Sequence, residues 1–168
     1  MKRSLIFLLT VFSISALPAE EAKEYINELQ EKRSGTPVVI KDKESIRTEA
    51  FFKPPVEITV VAKTDSTNLR LSYAADQLIF NWEGNASQLR VDGGPAAGKH
   101  KFGAGSIPTN RYVTVRWVVL PHQQTIYVDD QLRYQHEGDY SKINNPVGVF
   151  CHKSKVSVKS ILVRPLTP

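Results

Sequence analysis

The sequence predicts an all-β domain, built as a sandwich or barrel of antiparallel strands, and three observations lead to this prediction. After Gly35, apolar residues alternate with polar ones at a period of two, which is typical of strands with one buried face. About ten such segments follow one another, separated by Asp, Asn, Ser and Gly. No segment of helical length lies between them, which excludes an architecture of alternating strands and helices.

Composition agrees with one globular domain and argues against several kinds of site and partner. The 168 residues are 41% apolar and 23% charged, as in an ordinary folded protein. Cys151 is the single cysteine, so an intramolecular disulfide and a thiol zinc site are both excluded. The net charge of +5 comes from basic residues scattered among acidic ones, so it does not predict a nucleic-acid partner.

The N-terminus has the pattern of an export signal. A basic start, Met1–Arg3, precedes an apolar run over residues 5–12 that is too short to span a bilayer. We therefore expect a signal peptide over residues 1–19, cleaved after Ala16 or Ala19, and a secreted or periplasmic product without stable membrane insertion. An uncleaved N-terminal anchor is the alternative.

Residues 20–35 predict a short helix or linker before the main domain. Ala22, Tyr25, Ile26 and Leu29 recur at helical spacing, and Gly35 follows as a stop signal. The β-sandwich domain is then expected to occupy residues 36–168.

Along this domain the alternation places the strands and two of their turns. Asp129 and Asp130 separate two short alternating segments and predict a tight hairpin. Residues 121–124 predict a second hairpin, and the glycine-rich stretch 93–105 predicts a long loop of the kind that is often functional. The predicted strands cover residues 56–63, 69–73, 78–82, 89–92, 112–120, 125–128, 131–134, 146–150 and 156–163.

Several of these segments resemble a known fold family. Residues 116–120, 126–129, 146–149 and 156–163 resemble the C-terminal half of concanavalin A-like lectin/glucanase domains, and residues 80–85 with 89–91 look like their laminin-G-like bacterial versions. The resemblance covers roughly residues 45–165 and implies a jelly-roll sandwich of two antiparallel sheets. Asp130 departs from the family pattern, in which glycine is usual at this turn. Because the superfamily contains both glycan binders and hydrolases, the site must decide the function.

Catalytic chemistry is poorly supported by the sequence. Glycoside hydrolysis needs two carboxyl groups flanking the bond, and the Glu-x-Asp-x-x-Glu run of the jelly-roll glucanases does not occur here. Cys151 and His152 are neighbours on a strand, so we expect opposite orientations, with the thiol buried. No catalytic residue is predicted; an enzyme stays an alternative if Glu83 converges with Asp92 or Glu137.

A ligand surface is better supported. If Leu78, Phe80 and Trp82 face the core, then position 81 and position 83 face outward beside outward-facing arginines on other strands. Trp82 and Trp117 are expected in the core. The predicted ligand-binding residues on this polar face are Arg70, Asn81, Glu83, Arg90 and Arg116. Asn81 and Glu83 would hydrogen-bond sugar hydroxyls, and the arginines would favour an acidic sugar.

The sequence thus predicts an exported, non-catalytic binding module for carbohydrate or a cell-surface glycan, with no cofactor. Calcium is an alternative, because four loop carboxylates could supply oxygen ligands. These are Asp92, Asp129, Asp130 and Asp139. The competing functions are a small glycoside hydrolase and a structural or protein-interaction domain of the envelope. A polar face that is flat and whose charges pair with one another would favour the structural domain. The sequence leaves the oligomeric state open.

Overall fold

The computed structural model describes residues 23–24 and 36–166, and these are all-β with no helix. The predicted signal peptide, residues 1–19, lies outside the described residues. Of the predicted helix or linker over residues 20–35, only Lys23–Glu24 is described, and it is a two-residue strand rather than helix. Within the described part, no helix of the length and apolarity needed to cross a membrane is present.

The strands form two antiparallel sheets, as the sequence and the resemblance predict. The strands are β1 (Lys23–Glu24), β2 (Val38–Ile40), β3 (Ser45–Arg47), β4 (Val56–Thr64), β5 (Leu69–Ser72), β6 (Gln77–Phe80), β7 (Arg90–Asp92), β8 (Val113–Leu120), β9 (Gln123–Val128), β10 (Gln131–Glu137), β11 (Gly148–Phe150) and β12 (Val156–Pro165). One sheet has seven strands, in the order β1-β12-β4-β8-β9-β10 with β2 also paired to β12, and the other has five, in the order β3-β11-β5-β6-β7. The strands β1 to β3, each of two or three residues, were not predicted.

The core lies between the two sheets. In β4 and β8 every second residue is buried, and apart from Thr64 at the end of β4 these buried residues are apolar. Trp117 is fully buried there, its indole N–H donates to Gln124 Oε1 at 2.9 Å, and Tyr73 from the other sheet meets it edge to face at 6.2 Å. The prediction that Trp117 belongs to the core is confirmed.

Both predicted hairpins are confirmed. Asp129 and Asp130 have φ of 48° and 60°, the pair of left-handed residues that a type I′ turn requires between β9 and β10. Asp129 also holds the turn in place, because its Oδ1 accepts a hydrogen bond from the Thr114 N–H at 2.9 Å. Pro121 and His122 connect β8 to β9, since Leu120 pairs with Gln123 on either side of them.

This turn carries a stability prediction. Asp130→Gly is expected to raise the free energy of unfolding by about 0.5 to 1 kcal/mol, because glycine adopts positive φ without the Cβ clash. Urea denaturation would measure the change. Asp129→Gly is the control: it relieves the same strain but loses the Thr114 hydrogen bond, so no gain is expected. A loss of stability in Asp130→Gly would contradict the turn geometry.

The glycine-rich stretch 93–105 packs along the edge of the five-stranded sheet instead of standing free. Lys101 exchanges two backbone hydrogen bonds with Leu89, and His100 Nδ1 accepts one from the Val91 N–H at 3.0 Å. Tyr134 of β10 donates its hydroxyl hydrogen to the Lys99 carbonyl at 2.8 Å. The stretch therefore covers the edge of β7 and ties it to the other sheet.

Candidate functional site

The outward face of the five-stranded sheet brings two predicted arginines together. Arg70 on β5 pairs with Ile79 on β6, which pairs with Arg90 on β7, so all three side chains share one face. Ile79 points away from the core, since its neighbours Leu78 and Phe80 face inward, and yet it is only 2% exposed. The longer side chains on this face must therefore cover it.

These side chains surround a depression of about 320 Å³, here called the Trp82 pocket. Its floor is the sheet between β5 and β7, and its rim includes the residues that follow β6 and β11. The lining residues are Arg70, Gln77, Ile79, Trp82, Glu83, Arg90, Asp92 and His152.

Trp82 lies in this pocket, and its predicted place in the core is wrong. The ring is half-buried, and the Arg90 guanidinium lies 4.5 Å from the ring centroid. The period of two fails at Asn81, whose φ of 48° ends the strand and turns the chain. Gly84 then lies against the ring, where a Cβ would come within 2.7 Å of it.

Asn81 does not lie on the polar face, so its predicted orientation is also wrong. Its side chain is 5% exposed, and its Oδ1 accepts from the Ile107 N–H at 2.9 Å. Its Nδ2 donates to the Ile107 carbonyl at 2.9 Å and to the Ser66 carbonyl at 3.3 Å. The amide joins three chain segments beneath the site and is not available to a ligand.

Arg116 belongs to the other sheet, which corrects its predicted place beside Arg70. It lies on β8 with its guanidinium 3.9 Å from the Tyr127 ring centroid and 3.5 Å from Glu57 Oε2. The alternation of a strand predicts which of its side chains share a face of the sheet. It does not predict which of the two sheets the strand joins.

Both arginines of the pocket are held by partners. Arg70 donates to Gln77 Oε1 at 2.7 Å and to Asn68 Oδ1 at 2.9 Å, and it lies 3.4 Å from Glu83. Arg90 pairs with Asp92 at 2.8 Å through its Nε. The two guanidinium planes are therefore oriented in advance, each with a carboxylate beside it.

Glu83 is kept ionised by its surroundings. Partial burial by itself raises the pKa of this carboxyl, but hydrogen bonds from its own backbone N–H and the Asn68 side chain, with the charges of Arg70 and His152, outweigh burial and lower the pKa below its usual value. His152 Nε2 lies 3.8 Å from Glu83, and its Nδ1 lies 3.4 Å from Asp42.

His152 and the neighbouring thiol have the predicted opposite orientations. Cys151 is buried and donates to the Lys41 carbonyl at 2.9 Å, and burial raises the pKa of its thiol. His152 and Gln77 were not predicted as site residues, and Asp92 was considered only as a possible catalytic or calcium-binding carboxylate. The Arg90-x-Asp92 spacing, which puts both side chains on one face, was the available signal for Asp92.

Two carboxylates, Glu83 and Asp92, line the same pocket, and each is paired with an arginine. The pKa of Glu83 is lowered, whereas a general acid needs a raised one. Glu137 lies on β10 of the other sheet. The turn carboxylates considered for calcium are also spread: among residues 36–166, no group of three or more His, Cys, Asp or Glu is placed to hold a metal.

Solved structures with this architecture define the class of fold. A Parabacteroides distasonis protein proposed to be a glycosyl hydrolase superposes with a TM-score of 0.61 at 12% identity, over 88% of this chain and 100% of its own. Galectin LEC-6 of Caenorhabditis elegans gives 0.53 at 10% identity over 75% and 95%, and the Bacillus subtilis carbohydrate-binding module CBM66 gives 0.51 at 13% identity over 73% and 82%. The chain therefore has the concanavalin A-like jelly-roll fold.

At these identities the likeness extends to the fold and not to an activity. No protein-family profile matches the chain, and no curated protein sequence is significantly similar to it.

Proposed function

We propose that this chain is an exported, non-catalytic module that binds carbohydrate in the Trp82 pocket. The observation that carries the proposal is a half-buried tryptophan next to two arginine–carboxylate pairs, all on the outward face of one sheet. The names of the galectin and of the carbohydrate-binding module with the same fold support a glycan as the class of ligand.

The pocket offers what a pyranose requires. Sugar hydroxyls both donate and accept, and here Glu83 and Asp92 accept while Arg70, Arg90 and Gln77 donate. The exposed part of the Trp82 ring offers an apolar surface for the C–H face of a sugar. Since each interaction uses a side chain already held in place, little conformational entropy is lost on binding.

The charge balance favours a neutral sugar over the acidic one predicted from the sequence. Arg70 is paired with Glu83 and Arg90 with Asp92, so the two guanidinium charges are balanced by two carboxylates. An acidic sugar would have to compete with these carboxylates for the arginines.

Calorimetric titration against neutral and acidic oligosaccharides tests the proposal. Saturable binding of a neutral oligosaccharide without turnover is the expected result. Release of reducing ends from any glycoside by the protein would contradict it, because the pocket would then be a catalytic groove using Glu83 and Asp92.

Glu83→Gln separates the three functions that the sequence left open. A binding module should lose affinity about tenfold, since a charged acceptor becomes a neutral amide. A hydrolase should lose turnover. A structural domain should show no glycan binding before or after the change; the ion pairs on this face would also be compatible with such a domain. Glu49→Gln, the same change at an exposed position outside the pocket, is the control and should leave glycan affinity unchanged.

The stability of the Glu83→Gln variant should also differ from that of the unchanged protein in its dependence on pH. Because the folded pKa of Glu83 is lowered, its carboxylate contributes stability above its ordinary pKa of 4.5, and this contribution is lost as the pH falls through the folded pKa. Thermal unfolding of Glu83→Gln should therefore depend less on pH below about 4.5 than that of the unchanged protein.

Export is part of the proposal and rests on the N-terminal pattern alone. N-terminal sequencing of the protein recovered outside the cytoplasm of a bacterial host should begin at residue 17 or residue 20. A mature chain that still begins at Met1 would contradict it.

A further inference from the structure

A second pocket lies on the outward face of the seven-stranded sheet and shares no residue with the Trp82 pocket. Val39 on β2, Ser157 on β12 and Lys63 on β4 lie in one row across three strands, with their neighbours in sequence buried. The pocket has a volume of about 250 Å³ and is called here the Lys63 pocket. Its lining residues are Val39, Lys63, Asp65, Asn110, Lys155 and Ser157.

A further lysine is directed toward this region by an irregularity in β12. The register of β12 against β4 shifts between Val158 and Ser160, so Lys159 is the extra residue of a β-bulge. Its Nζ lies 4.1 Å from the Tyr112 ring centroid, and Lys63 Nζ lies 5.0 Å from the same centroid. Two ammonium groups thus converge on one ring, although like charges repel.

The positive charge at the pocket is only partly balanced, because two lining lysines, Lys63 and Lys155, face one lining carboxylate, Asp65, whose pKa the Lys155 charge helps to lower. Within residues 36–166, the ion pairs involve neither Lys63 nor Lys155 nor Lys159. Asp65 is the single acidic residue of the lining. Its Oδ1 accepts hydrogen bonds from the Lys155 N–H and the Ser66 hydroxyl, each at 3.0 Å, and these contacts lower the pKa of its carboxyl.

We propose that the Lys63 pocket is a second binding site, which takes the sulfate or carboxylate group of an acidic saccharide. Lys63 and Lys155 supply the charge, and the Ser157 hydroxyl and the Asn110 amide supply further donors for the oxygen atoms. The pocket fits one oxyanion with part of the ring that carries it. A lipid surface would instead need a broad basic patch with several exposed apolar residues, whereas Val39, 43% exposed, is the only large apolar residue of the lining.

Titration of the ¹⁵N-labelled protein with a sulfated disaccharide, followed by NMR, tests this site. We expect saturable shifts of the Lys63, Asn110 and Lys155 amides and an affinity that falls as salt is added. Lys63→Gln should weaken binding about tenfold. Lys53→Gln, an equal charge change at an exposed position elsewhere, should leave the affinity within about twofold.

Four results would overturn the proposal: no saturable shift of these amides, equal weakening by Lys53→Gln, binding of inorganic sulfate as tight as that of the disaccharide, or binding to anionic vesicles alone. If Lys63→Gln fails to fold, Lys155→Gln removes the other lining lysine charge and should weaken binding in the same way. The outcome is independent of the Trp82 pocket, because Trp82→Ala should leave disaccharide binding unchanged and Lys63→Gln should leave neutral glycan binding unchanged.

Discussion

Trp82→Ala is expected to reduce affinity for a neutral oligosaccharide at least 30-fold. Removal of the indole takes away the apolar surface of the pocket, and buried aromatic anchors of binding sites commonly contribute 2 kcal/mol or more, which is about that factor. It also removes the ring beside the Arg90 guanidinium, so Arg90 loses part of its orientation. Calorimetric titration with the oligosaccharide measures the loss.

Tyr127→Ala is the matched control for this experiment. Tyr127 also lies against an arginine, Arg116 at 3.9 Å, but on the outward face of the seven-stranded sheet. Its loss should leave glycan affinity unchanged. If Tyr127→Ala abolished binding and Trp82→Ala did not, the glycan site would lie on the other sheet and the proposed function would lose its basis.

Asn81→Ala should destabilise the fold by about 3 kcal/mol. The change leaves the buried N–H and carbonyl of Ile107 without their partner, and each such group costs about 1 kcal/mol or more. Alanine also tolerates a φ of 48° less well than asparagine does. Urea denaturation, monitored by tryptophan fluorescence or circular dichroism, gives the change in the free energy of unfolding.

Asn85→Ala provides the comparison for Asn81→Ala. Asn85 makes a local turn contact, its Oδ1 accepting from the Ser87 N–H at 3.1 Å, so a cost within about 0.5 to 1 kcal/mol is expected. An Asn81→Ala variant with normal stability but reduced glycan affinity would restore the outward orientation that the sequence predicts, and would contradict the structure.

Local patterns gave reliable predictions wherever a segment was long or a turn chemically distinctive. The alternation in β4 and β8 identifies their buried face, because every second side chain of a strand points the same way. Asp129 and Asp130 predict their hairpin, because few residues tolerate two successive positive φ values. The short strands β2 and β3 carry no comparable signal and are stabilised by pairing with distant strands.

The site was predicted only in part, for reasons that can be traced to particular residues. Arg70, Glu83 and Arg90 do meet, because they lie on or next to consecutive strands of one sheet. Arg116 has the same alternation but lies on a strand of the other sheet. His152 comes from a segment almost seventy residues after Glu83, and only the pairing of β11 with β5 brings the two together.

The sequence by itself determined that the chain is all-β, which residues of its long strands face the core and where its tightest turn lies, since these depend on neighbours within a few positions. Only the tertiary structure decided which strands share a sheet, and therefore which polar side chains surround Trp82. It also decided the orientation of Asn81 and Trp82, because the positive φ of Asn81 ends the alternation of the strand. The buried position of Asn81 depends on hydrogen bonds to Ile107, a residue distant in sequence.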